Sequence, residues 1–542
     1  MSQNISAARA VRNSGACRYH SIVKPKHLIK IPLAVAALLL AASASLAQIG
    51  ASAARVPNLP TLGDTEREDL SPAMERRLGE EIMRDIRRDR DYLDDGPILE
   101  YLNNFGNALV AARPGVRGET SFDFFFFAVR DAQLNAFALP GGFIAVHSAL
   151  LLAAQTESEL ASVLSHEIGH VAQRHIARML GQQRQDALIP LAAIILAALA
   201  SRAGGDAAMG VFAAGQGLAM QRQLNFSRDA EREADRIGFQ IMGEAGFETS
   251  GMVAFFGRLQ TASRAYSDLT PAYLLSHPLT TERIADIQAR IREMPYKQHP
   301  DSLDFHLVRA RARVLQDDSA QGLADAAAVF ENQLLQQSRN QTAAAQYGLA
   351  FISLKKGDVK KAQTLLDAAR STIVKPPGTG IYGMATQPAA ANSIVTSLAL
   401  DIKLAPNQSA QVAQQALFDA QAAHLQFPLS RGIARQYAEA MLMAGRLEEA
   451  GRYLRDQVQL YREEPKLYDL LARTYAAQGK MALQHMALAE SYVQNGGTMT
   501  ALDQLSIARK AGDASFYDMS VIDARERELQ ARRREEIKES KK

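Results

Sequence analysis

Apolar positions recur three and four apart through most of the chain, the period of amphipathic helices, with short stretches where they alternate or run together. Residues 66–112 read as helices with charged faces, closed by Arg113-Pro114-Gly115. Phe122 to Val129 is an aromatic run ending in β-branched Val, a predicted buried strand. Asn135 to Leu139 predicts a short strand entering a Pro140-Gly141-Gly142 turn, and Phe143 to Val146 resumes it. A long helix is predicted over 157–180, with Leu160, Val163, Leu164, Ile168 and Val171 on one face. Residues 187–200 carry no charge. They are too few for a membrane span and fit a buried helix or active-site lid, the other reading being contact with a membrane or client. A Gly/Ala-rich stretch follows to Met220.

From about residue 305 the pattern becomes Ala/Leu/Gln-rich helix, and a repeat emerges. Leu354-Lys-Lys-Gly357-Asp-Val-Lys-Lys-Ala362 resembles Met443-Ala-Gly445-Arg-Leu-Glu-Glu-Ala450. Gly479 lies 34 residues after Gly445, and Gly512 lies 33 after that. A 34-residue period is that of tetratricopeptide helix–turn–helix units, with Gly in the turn and a small Ala packed five residues on. Tyr475 stands where the first helix usually carries an aromatic. Residues 376–388 interrupt the register, and a generic helical bundle is the plainer alternative. Such repeats build concave surfaces that bind segments of other proteins. The last stretch, 523–542, reads as a solvated charged helix, a cap or tail.

The N-terminus follows another logic. Residues 1–30 hold six cations and no acid, and the apolar run Ile31–Leu46 follows, then Ser45-Leu46-Ala47. This is the pattern of a cleavable secretory signal; an uncleaved anchor or a mitochondrial transit peptide are the alternatives. The expected division is signal peptide 1–47, linker 48–65, an enzyme domain 66–300, a repeat domain 305–520 and a charged tail 521–542.

Composition narrows the chemistry. Of 542 residues, 61 are Lys or Arg and 58 Asp or Glu, so no basic excess points to nucleic acid. The single Cys, Cys17, lies in the signal segment, which excludes an intramolecular disulfide framework and a Cys-based zinc site.

His166-Glu167-Ile-Gly-His170 lies inside the predicted 157–180 helix. Residues four apart sit about 40° apart round a helix, so both imidazoles can reach one metal, while Glu167 is placed to take a proton from water beside it. A catalytic zinc keeps three protein ligands. His175 is one position off register for the third and reads as a surface residue. A second helix is the better source: Glu231 and Asp235 share a face, Glu231 as ligand and Asp235 holding a ligand imidazole by its other nitrogen. Glu233 points elsewhere and reads as solvated.

His166-Glu167-x-x-His170, Asn135-Ala136-Phe137-Ala138-Leu139-Pro-Gly-Gly142 and Glu231-x-x-Ala234-Asp235 together resemble the zinc metallopeptidases related to HtpX and the CAAX prenyl proteases. The resemblance covers 66–295 strongly and 305–515 loosely. The chain has no span after its signal, unlike the membrane-embedded members, and fits a soluble branch. The resemblance implies a mainly α fold: a zincin-type α+β metallopeptidase domain with a small sheet, followed by an α-solenoid of tetratricopeptide-like repeats. It implies one zinc per subunit and a periplasmic location. It implies protein substrates (outer-membrane β-barrel proteins) and docking to the outer-membrane assembly machinery through the repeats. Asn135 to Leu139 would pair with substrate backbone as an added strand. His277-Pro278 and Arg283 match a His-Pro…Arg element: His277 would donate to the oxyanion or fill zinc's open position, with Arg283 assisting. Asp235 could alternatively donate a proton. Two rival expectations stand beside this one: a chaperone or scaffold whose binding role dominates, and a mitochondrial intermembrane-space peptidase of the same group.

Overall fold

The computed structural model describes residues 71–120, 122–181, 228–265, 272–335, 338–374 and 391–539. The signal, the linker, the uncharged 187–200 run, the Gly/Ala-rich stretch and the 376–388 interruption lie outside the described residues. Those described belong to one compact unit, Thr65–Lys542.

Two capped helices open the fold. Ser71 caps α1 (Pro72–Ile86) by accepting from the Met74 N–H, and Asp95 caps α2 (Gly96–Ala112) by accepting from Ile98. Three strands follow: β1 (Phe125–Val129), β2 (Ala136–Leu139) and β3 (Phe143–His147). Their order is β1-β3-β2, with β3 parallel to β1 and antiparallel to β2. Gly141 and Gly142 make the β2–β3 turn at positive φ, 77° and 91°. One sheet face packs on Ile82, Met83 and Ile86 of α1; the other, through Phe126, Ala136, Ile144 and Val146, joins the main core.

Short α3 (Ser148–Ala153) leads to α4 (Glu157–Ala172), which carries the His-Glu-x-x-His motif. Thr156 caps it, Glu157 and Glu159 occupy its first turn, and it is buried on every side through Val171. The predicted helix over 157–180 is broken. Gln173 ends α4, Arg174 takes a left-handed φ of 51°, and α5 (His175–Gly181) starts anew. A left-handed non-glycine costs roughly 1–2 kcal/mol. Arg174 is held there by a two-nitrogen ion pair with buried Glu75 of α1, both at 3.0 Å.

α6 (Arg228–Glu244) lies against α4 at glycine distance. A Cβ on Gly169 would fall 2.9 Å from the Ala234 carbonyl oxygen, and one on Gly238 2.9 Å from the His166 nitrogen. Next come α7 (Ser250–Ala265), α8 (Ala272–Ser276) and α9 (Thr281–Glu293), where Thr280 caps by accepting from the Arg283 N–H.

The remainder is helix upon helix: α10 (Leu303–Gln316), α11 (Ala320–Leu334), α12 (Arg339–Lys355), α13 (Val359–Val374), α14 (Ser393–Lys403), α15 (Ala410–Gln426), α16 (Arg431–Met443), α17 (Leu447–Leu460), α18 (Pro465–Ala477), α19 (Met481–Gln494), α20 (Thr498–Lys510) and α21 (Phe516–Glu539). The turns between α12 and α13, α16 and α17, and α18 and α19 hold Gly357, Gly445 and Gly479 at positive φ, and Ala362 and Ala450 are buried five residues on. Gly512 does not take this conformation; Gly496, between α19 and α20, does. The charged C-terminal stretch is not wholly solvated: α21 buries Ile522 and Leu529 and caps the array. Buried Arg311 of α10 joins the two regions, reaching Asp95 at 2.8 Å and the Tyr347 hydroxyl at 3.0 Å. Glu100 of α2 likewise accepts from the Ser430 hydroxyl and the Gly432 N–H at the start of α16, both at 2.8 Å.

The glycine contact between α4 and α6 generates a stability prediction. Gly238→Ala forces a methyl into the α4 backbone and should cost about 1–3 kcal/mol. Gly257→Ala on α7, whose new Cβ meets nothing within 4 Å, should be neutral or slightly stabilising. Equilibrium denaturation of both variants checks the contrast.

Candidate metal centre

His166 and His170 lie one turn apart on α4, and their Nε2 atoms approach to 3.0 Å. α6 brings Glu231 across: its carboxylate oxygens lie 3.5 Å from His166 Nε2 and 3.4 Å from His170 Nε2. Just past α8, His277 places Nδ1 3.0 Å from Glu231 Oε1 and 3.3 Å from His166 Nε2. These four buried residues each offer a ligand atom within 4.8 Å of the others. Three imidazoles and a carboxylate are a donor set that zinc accepts. Glu231 is suited to its place: burial alone would raise its pKa, but charge and hydrogen bonding from His277 and His166 hold it well below the carboxylate range. The set fits one zinc ion.

Behind these donors stand fixed partners. Asp235, one turn after Glu231, sets Oδ1 3.0 Å from His166 Nδ1. Burial disfavours a proton on His166, but hydrogen bonds from Asp235 and Glu231 outweigh that and push it up to about 9. Arg283 is buried. It donates to both Asp235 oxygens at 2.6 and 2.7 Å and to the Pro278 carbonyl at 2.8 Å, and forms an ion pair with Glu231 Oε2 at 2.8 Å. Burial, countered by this guanidinium and by His166, leaves Asp235 below its usual range.

Glu167 faces the opposite side of the donors, with His277 Nε2 3.5 Å from its carboxylate. Burial raises its pKa, tempered by His277, by His166 and by the Ala138 backbone N–H of β2. Asn135 to Leu139 thus run beside Glu167, as the edge strand of the sheet.

Three participants were missed from sequence. His175 is buried, not exposed: its Nδ1 lies 2.8 Å from His170 Nδ1. Burial holds it at about 4 despite the pull of Glu233. Glu233 is not simply solvated, since Oε2 lies 3.1 Å from His175 Nε2 and accepts from Arg178 at 2.9 Å. Both were misplaced because the helix was expected to continue through residues 173–174. Tyr273 packs its ring 4.7 Å from His277 and 6.4 Å from His166, and its buried hydroxyl finds no hydrogen-bond partner among the described residues. Its position four residues before His277, on the same helical face, was the available signal.

A buried motif helix, a carboxylate from a second helix and an edge strand alongside define a metallopeptidase. Residues 101–291 match the profile of peptidase family M48. Over 472 residues the chain is 30% identical to the beta-barrel assembly-enhancing protease of Escherichia coli (strain K12), which covers 86% of this chain and 90% of that one. It is 40% identical over 256 residues to the putative beta-barrel assembly-enhancing protease of Vibrio cholerae, 47% of this chain and 51% of that one. The mitochondrial metalloendopeptidase OMA1 of Schizosaccharomyces pombe is 28% identical over 233 residues, 42% of this chain and 65% of its own length. The chain belongs to peptidase family M48, as a zinc metalloendopeptidase.

The buried charge balance yields a prediction. Arg283→Met strands two buried carboxylates and should cost about 3–5 kcal/mol. Denaturation of the metal-free protein measures it, so that lost metal does not enter.

Proposed function

We propose that this chain is an endopeptidase acting in the periplasm on misassembled or stalled outer-membrane β-barrel proteins, with its helical array docking clients or assembly partners. The names of its relatives support the outer-membrane setting, and the N-terminal signal pattern supports export. The 34-residue spacing and the turn glycines at positive φ support reading the array, residues 305–520, as tetratricopeptide-like. Among the described residues no helix is long and apolar enough to cross a membrane.

One observation carries the catalytic reading: four buried donors converge within 4.8 Å beside the Glu167 carboxyl. His166, His170 and Glu231 would hold zinc. Zinc there supplies Lewis acidity, polarising a peptide carbonyl and making water nucleophilic near neutral pH. Glu167 takes the water's proton and passes it to the leaving amine; burial raises its basicity for that task. Asp235 orients His166, and Arg283 holds Asp235 and Glu231 in register. His277, whose Nδ1 lies beside Glu231 and His166, would either serve as a further donor to the metal at rest or, free of it, donate with the Tyr273 hydroxyl to the developing oxyanion.

The sheet supports the substrate route. The His147 N–H donates to the Asn135 carbonyl, so by the antiparallel alternation Asn135, Phe137 and Leu139 bond to β3 while Ala136 and Ala138 turn their polar groups outward. An extended peptide added there would lie alongside Glu167. The far edge is covered: the Asn103 side chain accepts from the Phe126 N–H at 3.1 Å and donates to its carbonyl at 2.7 Å.

Glu167→Gln should keep stoichiometric zinc and lose casein cleavage, while His166→Ala loses both. Metal analysis and proteolysis with and without chelator decide; cleavage retained in Glu167→Gln overturns the assignment. To separate protease from scaffold, complementation by Glu167→Gln is compared with truncation before residue 305. Failure of both supports joint roles; full complementation by Glu167→Gln makes binding the dominant activity.

A further inference from the structure

The break after α4 does something that an unbroken helix could not. Continued as helix, residue 175 would follow residue 170 by five positions and face away from it. Arg174 instead reverses locally at φ 51°, pinned by Glu75, and returns the next imidazole onto His170. The result is a buried line of groups: His170 Nδ1 to His175 Nδ1 at 2.8 Å, then His175 Nε2 to Glu233 Oε2 at 3.1 Å.

Proton counting orders this line. Glu233 is acceptor-only when ionised, so His175 carries its proton on Nε2 and donates there. Its Nδ1 is then a lone pair, and the proton between the two rings belongs to His170 Nδ1. That leaves His170 Nε2 as a lone pair aimed at Glu231 and His166, the tautomer a metal ligand needs. His166 has a carboxylate at first hand, Asp235 Oδ1 standing 3.0 Å from its Nδ1. The two ligand imidazoles are thus oriented by different devices, one carboxylate at first hand and one through an intervening ring.

We propose that His175 and Glu233 are positioning residues for the metal centre, forming a relay that fixes the tautomer and ring angle of His170, with the Glu75–Arg174 pair setting the bend that puts His175 in place. The relay rests on the reading that His170 binds zinc. Arg178, donating to the same Glu233 oxygen, keeps that carboxylate on station. Partners of this kind change metal affinity about 10–100-fold when removed.

The test uses the full chain and zinc affinity by chelator competition, with thermal unfolding of the metal-free protein alongside. His175→Leu cannot accept a proton and should weaken zinc binding about 10–100-fold. His175→Asn places an amide oxygen near the lost Nδ1 and should recover most of it. Glu233→Gln, at a half-buried site that tolerates change, should show a smaller loss with metal-free unfolding unchanged. Nitrogen-15 spectra of the zinc-loaded wild type should show His170 protonated at Nδ1 and His175 at Nε2. Equal losses in His175→Asn and His175→Leu, unchanged affinity in His175→Leu, or a zinc-loaded His170 protonated at Nε2 each overturn the relay. If His175→Leu does not fold, Glu233→Gln and the spectra still decide. Retention of zinc by His170→Ala would instead sink the ligand reading beneath it, a separate outcome.

Discussion

α4 and α6 meet with almost nothing between their backbones, and the centre depends on that approach. Gly169 faces Ala234, and Gly238 faces the backbone of His166. At this spacing, short side chains from α6 reach imidazoles on α4: Asp235 touches His166 Nδ1, and Glu231 bridges towards both Nε2 atoms. An ordinary helix pair, 8–10 Å apart axis to axis with larger residues interposed, would leave the carboxylates short. The same closeness excludes water, so the polar groups brought in must satisfy one another.

They do so with a definite charge arithmetic. Glu167, Glu231 and Asp235 are all buried, and one buried guanidinium, Arg283, stands among them. Arg283 answers Asp235 through two parallel hydrogen bonds and reaches one oxygen of Glu231, leaving the other turned towards the imidazoles. A divalent cation is the partner that such a surplus of carboxylate favours in a low-dielectric site. The cleft thus separates two tasks: the Arg283 side holds carboxylates rigid, and the Glu167 side keeps a carboxyl basic through burial.

Much of this could be read from residue types and spacing, and the exceptions share a cause. His166 and His170 were legible because a four-residue step needs only a helix, and Glu231 with Asp235 for the same reason. The Pro140-Gly141-Gly142 turn announced its positive φ angles. His175 and Glu233 were misjudged because Gln173-Arg174 carries no helix-stop signature. The left-handed bend there depends on Glu75, 99 residues earlier in the chain, which no local pattern reports. The contacts of Arg283 with Asp235 and Glu231 were not legible, since those partners are 48 and 52 positions away. In the array, Gly357, Gly445 and Gly479 marked turns correctly, whereas Gly512 kept the period without the conformation and Gly496 had the conformation outside the period.

The two edges of the small sheet are treated differently. A three-stranded sheet exposes two edges, and either could recruit an extended chain. On the β1 side, Asn103 copies a strand residue with its amide, and Leu93 donates to the Ala128 carbonyl. That edge is spent on α2 and the segment before it, the same segment whose Asp95 and Glu100 anchor Arg311 and the start of α16. On the β2 side, Tyr273 takes the Leu134 carbonyl, and Ala136 and Ala138 follow with outward groups beside Glu167. One edge is therefore covered by elements that also hold the helical array, and among the described residues no strand pairs with the other. The contacts that hold the array on α2 and those by which α2 covers β1 thus run through one helix, so the array and the sheet share a single support.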